Sequence, residues 1–300
     1  AEQFEICDPH HHFWSHEANE YKWLQGEDHI AGKLVHIRDN YLPGDYKKDN
    51  KNQNVTKSVH IQAEAEDSLK ETLWLQKLAD DAKSKGENDF PQGISAKVNL
   101  EDPCVEDALK KHAVCKNLRG IRQLLNWHEK KPEYSFAPKN FLIDPQWQKG
   151  LALLPKYNLH FETHLYPHQV GELVPIIEKL PELTFIVNHT GMCIERTPEA
   201  FKEWEDAMKN VARFPNVGIK ISGLGMFDHD WTVESFSPFV LKTIEIFGVD
   251  RCMFASNFPV DKLLSSYDKL WTAFKDITKD FSKADRRKLF YSNAVRYYRL

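Results

Sequence analysis

Cysteine is scarce in this 300-residue sequence, and the five present, Cys7, Cys104, Cys115, Cys193 and Cys252, are scattered with no Cys-x-x-Cys pair. An odd, dispersed set builds neither a disulfide framework nor a thiolate zinc site, and a reducing, cytoplasmic setting is expected. Excess charge of one sign is also missing. Forty basic residues against 44 acidic ones leave −4 with histidine neutral, too little positive field to hold a phosphate backbone or an anionic membrane. Nucleic acid and membranes are therefore not expected partners. No run approaches the roughly 18 uninterrupted apolar residues of a membrane span, and the opening Ala1 to Phe4 lacks the basic-then-apolar pattern of an export signal. Neither a Gly-x-Gly-x-x-Gly turn nor a Gly-x-x-x-x-Gly-Lys phosphate loop occurs, and no internal repeat is detectable.

What the sequence does contain is alternation. Short β-rich runs fall at Phe4 to Asp8, Lys57 to Gln62, Ile94 to Leu100, Leu118 to Leu124, Leu159 to His164, Thr184 to His189, Val217 to Ser222 and Cys252 to Ser256. Between them lie apolar residues at helical spacing, such as Leu173, Val174, Ile176, Ile177 and Leu180, or Phe201, Trp204, Met208, Val211 and Ala212. Thr197 before Pro198 reads as an N-cap, and Ser282 with Asp285 as a capping box. Eight strands alternating with helices over about 250 to 300 residues predict a (β/α)8 TIM barrel, here a single domain over residues 1–300. The polar stretch Ser15 to Thr56 is expected to be a long loop over the barrel mouth.

Catalytic groups in such a barrel project from the C-terminal strand ends. Alternation along the first strand puts Asp8, His10 and His12 on one side, with the two imidazoles about 6.7 Å apart along it. Neighbouring imidazoles of this kind suit a divalent ion. The fifth strand places His160, Glu162 and His164 on one face, and the sixth ends on His189. Arg122 and Lys220 fall at the ends of the fourth and seventh strands. A cation inside a barrel must be paired. Glu162, Glu64 or Asp261 could neutralise these two, or they could receive a substrate carboxylate or a developing oxyanion. Trp14, Trp127 and His128 are candidate pocket walls.

Asp8-Pro9-His10-His11-His12-Phe13-Trp14, Gly120-Ile121-Arg122, Asn188-His189-Thr190-Gly191-Met192, Lys220-Ile221-Ser222-Gly223-Leu224 and Phe254-Ala255-Ser256-Asn257-Phe258-Pro259-Val260-Asp261 together resemble the amidohydrolase superfamily. The resemblance runs through the closing Asn293-Ala294-Val295-Arg296-Tyr297-Tyr298 and points to the branch of sugar-acid lactonases, of fuconolactonase and rhamnonolactonase type, and of pyrone-dicarboxylate lactonase. It implies a distorted barrel that hydrolyses a ring ester or amide. His10 and His12 match the first-strand metal ligands, His164 the fifth-strand ligand and His189 the sixth-strand histidine. On the eighth strand, where the family places an aspartate that binds metal and takes a proton from water, this sequence has Asn257. An amide is no carboxylate base and brings no charge to hold a cation. Asp261, four residues on, is the nearest carboxylate.

The expected activity is opening of a small lactone by water, a reaction that survives loss of the aspartate better than amide hydrolysis does. In this scheme His10, His12 and His164 hold one divalent ion, zinc first, or orient the substrate without metal. Arg122 and Lys220 counter negative charge, Glu162 and Trp14 help bind the substrate, and His189, Asp261 or Asn257 serves the proton transfer. A metal-assisted decarboxylase and a non-catalytic ligand-binding barrel are the alternatives.

Overall fold

The computed structural model describes residues 4–300; Ala1, Glu2 and Gln3, which belong to the stretch read for an export signal, lie outside the described residues. Eight parallel strands form one sheet in chain order: β1 (Glu5–His11), β2 (Asn54–Ile61), β3 (Gly93–Ala96), β4 (Leu118–Leu124), β5 (His160–His164), β6 (Phe185–Val187), β7 (Val217–Ile221) and β8 (Cys252–Phe254). One helix follows each strand: α1 (Pro43–Asp49), α2 (Ser68–Ser84), α3 (Val105–His112), α4 (Pro145–Leu151), α5 (Val170–Lys179), α6 (Pro198–Ala212), α7 (Val233–Phe247) and α8 (Tyr267–Ile277). This is the (β/α)8 barrel expected from the sequence. Most strand positions are buried because helices cover one face and the barrel interior the other.

Local chemistry sets the helix starts. Thr197 accepts the Ala200 N–H at 3.1 Å with Pro198 next in line, and Ser282 accepts the Asp285 N–H at 3.1 Å. The chain ends in α9 (Lys283–Arg287), a π turn over Lys288–Ser292 and α10 (Asn293–Tyr298). Ala294 and Tyr298 of α10 pack with Cys7, Val59, Ile61, Ile186 and Met253 inside the barrel. The Tyr298 ring lies 4.9 Å from that of His160, at the start of β5, so α10 stoppers the end of the barrel away from His164.

The ring closes through a seam. β1 meets the chain beyond β8 in a single parallel bridge, His11 to Phe258, with His12 N–H donating to Phe258 O and Asn257 N–H to His10 O, each at 2.8 Å. The Asp8 carboxylate completes the join by accepting the Ser256 N–H (3.0 Å) and hydroxyl (2.6 Å), together with the hydroxyls of Tyr46 on α1 (2.8 Å) and Tyr267 on α8 (3.0 Å). Alternation alone had placed Asp8 with His10 and His12. Register shifts within β1 break the period between Asp8 and His11, and Asp8 faces α1 and α8 instead.

The Ser15 to Thr56 stretch is more ordered than a bare loop. It holds two 3-10 turns (Lys22–Gln25 and Leu34–His36), a two-stranded ribbon pairing Asp28–His29 with Gly32–Lys33, and α1, with Tyr21, Leu24, Leu34 and Tyr46 buried. Among the described residues no helix is long and apolar enough to cross a membrane.

Candidate active site

The strand ends surround a cavity of about 530 Å³ whose lining includes His12, Arg122, His164, His189 and Asn257, each carried by or just beyond a different strand. Each imidazole is anchored through one nitrogen. His12 Nδ1 meets the Ile61 carbonyl oxygen at 2.6 Å, His164 Nδ1 meets the Asn126 amide oxygen, and His189 Nδ1 meets the Ser222 hydroxyl at 3.0 Å. A carbonyl only accepts, so Nδ1 of His12 carries the hydrogen and Nε2 is left as a free acceptor in the neutral ring. Positive φ values cluster here, at His189 (52°), Thr190 (57°), Met192 (55°) and Asn257 (57°). Such backbone persists only where the surroundings over-determine it. Gly223, itself at φ 66°, leaves space for the His189 ring, which a Cβ there would meet at 2.7 Å.

Beneath these groups lies His10, fully buried, its ring 4.5 Å from that of His189 and 5.2 Å from that of His12. Neither of its ring nitrogens has a hydrogen-bond partner among the described residues. Below it, Lys220 and Glu162 form a fully buried ion pair, with Ser95 and His160 also on Glu162 and the Asn188 amide donating to it at 3.1 Å. Burial alone would raise the Glu162 pKa, but the Lys220 charge and the hydrogen bonds hold it below the usual carboxylate range. Burial brings Lys220 down to about 8 against the attraction of Glu162.

Arg122 is differently placed. Its Nη2 donates to Gln62 O at 2.8 Å and its Nη1 to Asn188 Oδ1 at 3.4 Å, while Nε has no hydrogen-bond partner. No carboxylate among the described residues forms an ion pair with it; Glu64, on the cavity wall, is taken by Lys97 at 2.9 Å. A buried guanidinium facing a cavity with only neutral oxygens on it is a site for an anion or a developing oxyanion.

Electrostatics keep the histidines neutral. Burial is the largest cause at His10, His12, His164 and His189, reinforced by the Arg122 charge at all four and by Lys220 at His10, His164 and His189, and all four lie well below the ordinary histidine value. Neutral imidazoles can ligate metal or accept a proton, but the rest of the donor set does not favour a cation. The charges that act on His10 and His189 are all cationic or imidazole, and Asn257 supplies no anion. No group of three or more His, Cys, Asp and Glu among the described residues is arranged to hold an ion. His10, His12 and His164, expected to share one, do lie in one neighbourhood, yet they do not make a metal cage.

Other expected residues are set back from the cavity. Lys220 and Glu162 are spent on each other beneath it. Trp14 is buried, donates to Asp39 O at 2.9 Å and packs on Trp23 at 5.6 Å; Trp23 and Phe136 are the aromatic walls, in place of Trp14, Trp127 and His128. Asp261 lies behind Asn257, whose Nδ2 donates to it at 2.9 Å, and burial raises its pKa to about 7. Sequence reasoning missed Trp23, His29, Lys97, Phe136 and Met226, which the segments beyond the strands deliver to the cavity, and also Asn126, which orients His164.

Residues 7–300 match the family model described as amidohydrolase. The chain is 41% identical to an uncharacterized protein, y4mH, of Sinorhizobium fredii, over 98% of each chain. It is 26% identical to an L-fucono-1,5-lactonase of Burkholderia multivorans, over 98% of this chain and 95% of that one. The fold is shared with an amidohydrolase from Burkholderia multivorans solved with bound HEPES (TM-score 0.82, 22% identity) and with bound zinc (TM-score 0.80, 20% identity), each comparison covering 98% of this chain and 99% of the other.

Proposed function

The chain belongs to the amidohydrolase family and is a hydrolase; from that premise we propose that it opens a small lactone by adding water to the ring carbonyl. The observation that carries this reading is the pairing of one guanidinium lacking a carboxylate partner, Arg122, with three neutral imidazoles around one cavity. The likeness to an L-fucono-1,5-lactonase supports it. A cavity of about 530 Å³ falls in the range that small-molecule sites use.

In this reading the lactone carbonyl oxygen points at Arg122, whose charge grows in worth as the oxygen becomes negative in the transition state. His189 is the base. In the tautomer whose Nδ1–H donates to the Ser222 hydroxyl, Nε2 is free to take the proton from water, and burial keeps the ring neutral near neutral pH. The same imidazole then returns the proton to the departing ring oxygen. His12 and His164, each tethered through Nδ1, present Nε2 as acceptors for substrate hydroxyls, while Asp28 and Glu64 on the wall accept from others. Lys220 acts indirectly, keeping Glu162 ionised so that Asn188 stays fixed and Arg122 stays aimed. No step runs through a metal ion.

A panel of five- and six-membered sugar lactones and a dicarboxylate lactone, followed by acid release with a pH indicator, tests the reading. Ring opening by the wild-type chain is expected. Failure on the whole panel rejects it, and carbon dioxide release would favour decarboxylation.

A further inference from the structure

Asn257 and Asp261 form a unit that the lactone-opening scheme leaves unused. Asn257 lines the cavity, and its amide nitrogen is taken up by protein acceptors, donating to Asp261 Oδ1 at 2.9 Å, behind the cavity, and to the Met226 sulfur at 3.5 Å, on its wall. An ionised carboxylate accepts and never donates, so it must face the NH2 end of an amide. Asn257 Oδ1 therefore points the other way, and no donor among the described residues hydrogen-bonds to it. The backbone fixes the rest: Asn257 sits at φ 57° with its N–H on His10 O at 2.8 Å, and Asp261 N–H returns to Asn257 O at 3.0 Å. Asparagine tolerates this left-handed conformation better than most residues.

We propose that Asp261 is a positioning residue, which takes an amide hydrogen of Asn257 and thereby turns Asn257 Oδ1 into the cavity as the acceptor that orients the attacking water. The inference rests on the lactone-opening reading and adds a second handle on the water besides His189. An amide cannot remove the proton, but it can aim one hydrogen while the other goes to His189. The arrangement also reverses with protonation. A protonated Asp261 offers a donor, for which the amide oxygen is the better partner, and the amide then presents its NH2 to the cavity. Burial pushes the Asp261 pKa up to about 7 against the opposing hydrogen bond from Asn257, and the adjacent Lys262 is engaged by Asp49 at 3.0 Å.

The experiment compares wild type, Asp261→Asn, Asn257→Ala and the double variant in steady-state kinetics across pH on a lactone the wild type opens. In Asp261→Asn either end of the new amide can face Asn257, so the acceptor is no longer fixed. We expect kcat to fall about tenfold, the change carried by one ordinary hydrogen bond, with KM little altered. The acid limb near pH 7 in the wild-type profile should vanish, and the double variant should be no slower than Asn257→Ala. Additive losses, or the same limb surviving in Asp261→Asn, overturn the proposal. Should the wild type open no lactone, that reading fails by itself, and the side-chain amide resonance of Asn257 still tests the positioning. It should titrate near pH 7 in wild type and not in Asp261→Asn, and a resonance indifferent to pH in wild type refutes it.

Discussion

Replacing Lys220 with methionine removes one half of an ion pair that has no access to solvent, and the size of the effect can be worked from its surroundings. Glu162 would keep hydrogen bonds from Asn188, Ser95 and His160 but lose the largest of the charges that oppose its burial. Breaking a buried pair from one side costs about 3–5 kcal/mol. At about 2 °C per kcal/mol for a chain of this size, the melting temperature should fall by roughly 6–10 °C. The sign of the pH dependence follows. In wild type the Glu162 pKa is depressed, so its contribution is present above the unfolded carboxylate value and is lost as pH falls. In Lys220→Met burial raises the pKa, so stability is greatest at acid pH and is lost as pH rises through the raised value. Both trends narrow the deficit on acidification. Calorimetry at pH 7.5 and pH 5 on Lys220→Met and on Lys220→Met/Glu162→Gln measures this. The double variant should recover most of the loss, because a neutral amide needs no counter-charge. A deficit below about 1 kcal/mol, or a double variant worse than the single, would show that the pair does not carry the interior as described.

Arg122→Leu should fold and lose about 10²–10³ in kcat/KM on the lactone that wild type opens, the usual consequence of deleting an oxyanion donor; an unchanged value removes Arg122 from the carbonyl. Exhaustive chelation followed by metal analysis should leave turnover intact, since no step needs an ion, whereas loss restored by zinc would reject the metal-free scheme. Because His10, His12, His164 and His189 are all held below the ordinary histidine value by burial first, the unfolded chain binds protons before the folded one does. Stability should therefore decline as pH falls below about 6.5, visible as a dropping denaturation midpoint; a midpoint flat from pH 7 to 5 would contradict the neutral assignment.

Much of the frame was legible because each strand falls in a short β-rich run followed by a polar or helical stretch. The runs Leu118 to Leu124 and Val217 to Ser222 became β4 and β7 almost residue for residue. Position along a strand also placed Glu162 and Lys220 in the interior, since alternation holds where β5 and β7 pair regularly with their neighbours. It failed at Asp8, where the register of β1 shifts, because an irregularity needs a partner strand to define it. Cavity walls were the least legible. Trp23 and Phe136 arrive on connections whose course depends on what they pack against, while Trp14, adjacent to the histidine run in sequence, is turned into the core by its bond to Asp39 O. Nor could spacing show that Asp261 would stand behind Asn257, since that depends on the left-handed backbone at Asn257.

The seam between β1 and β8 means that no fragment of this chain carries the whole of the proposed site. Asp8 grips Ser256 across 248 residues of sequence, and Asn257 takes its place only by resting on the carbonyl of His10. A half-barrel would bear either the first-strand imidazoles or His189 with Asn257, never both. Competence is thus an all-or-none property of ring closure, and two complementary halves, inert alone, would have to dock edge to edge before either could hydrolyse anything.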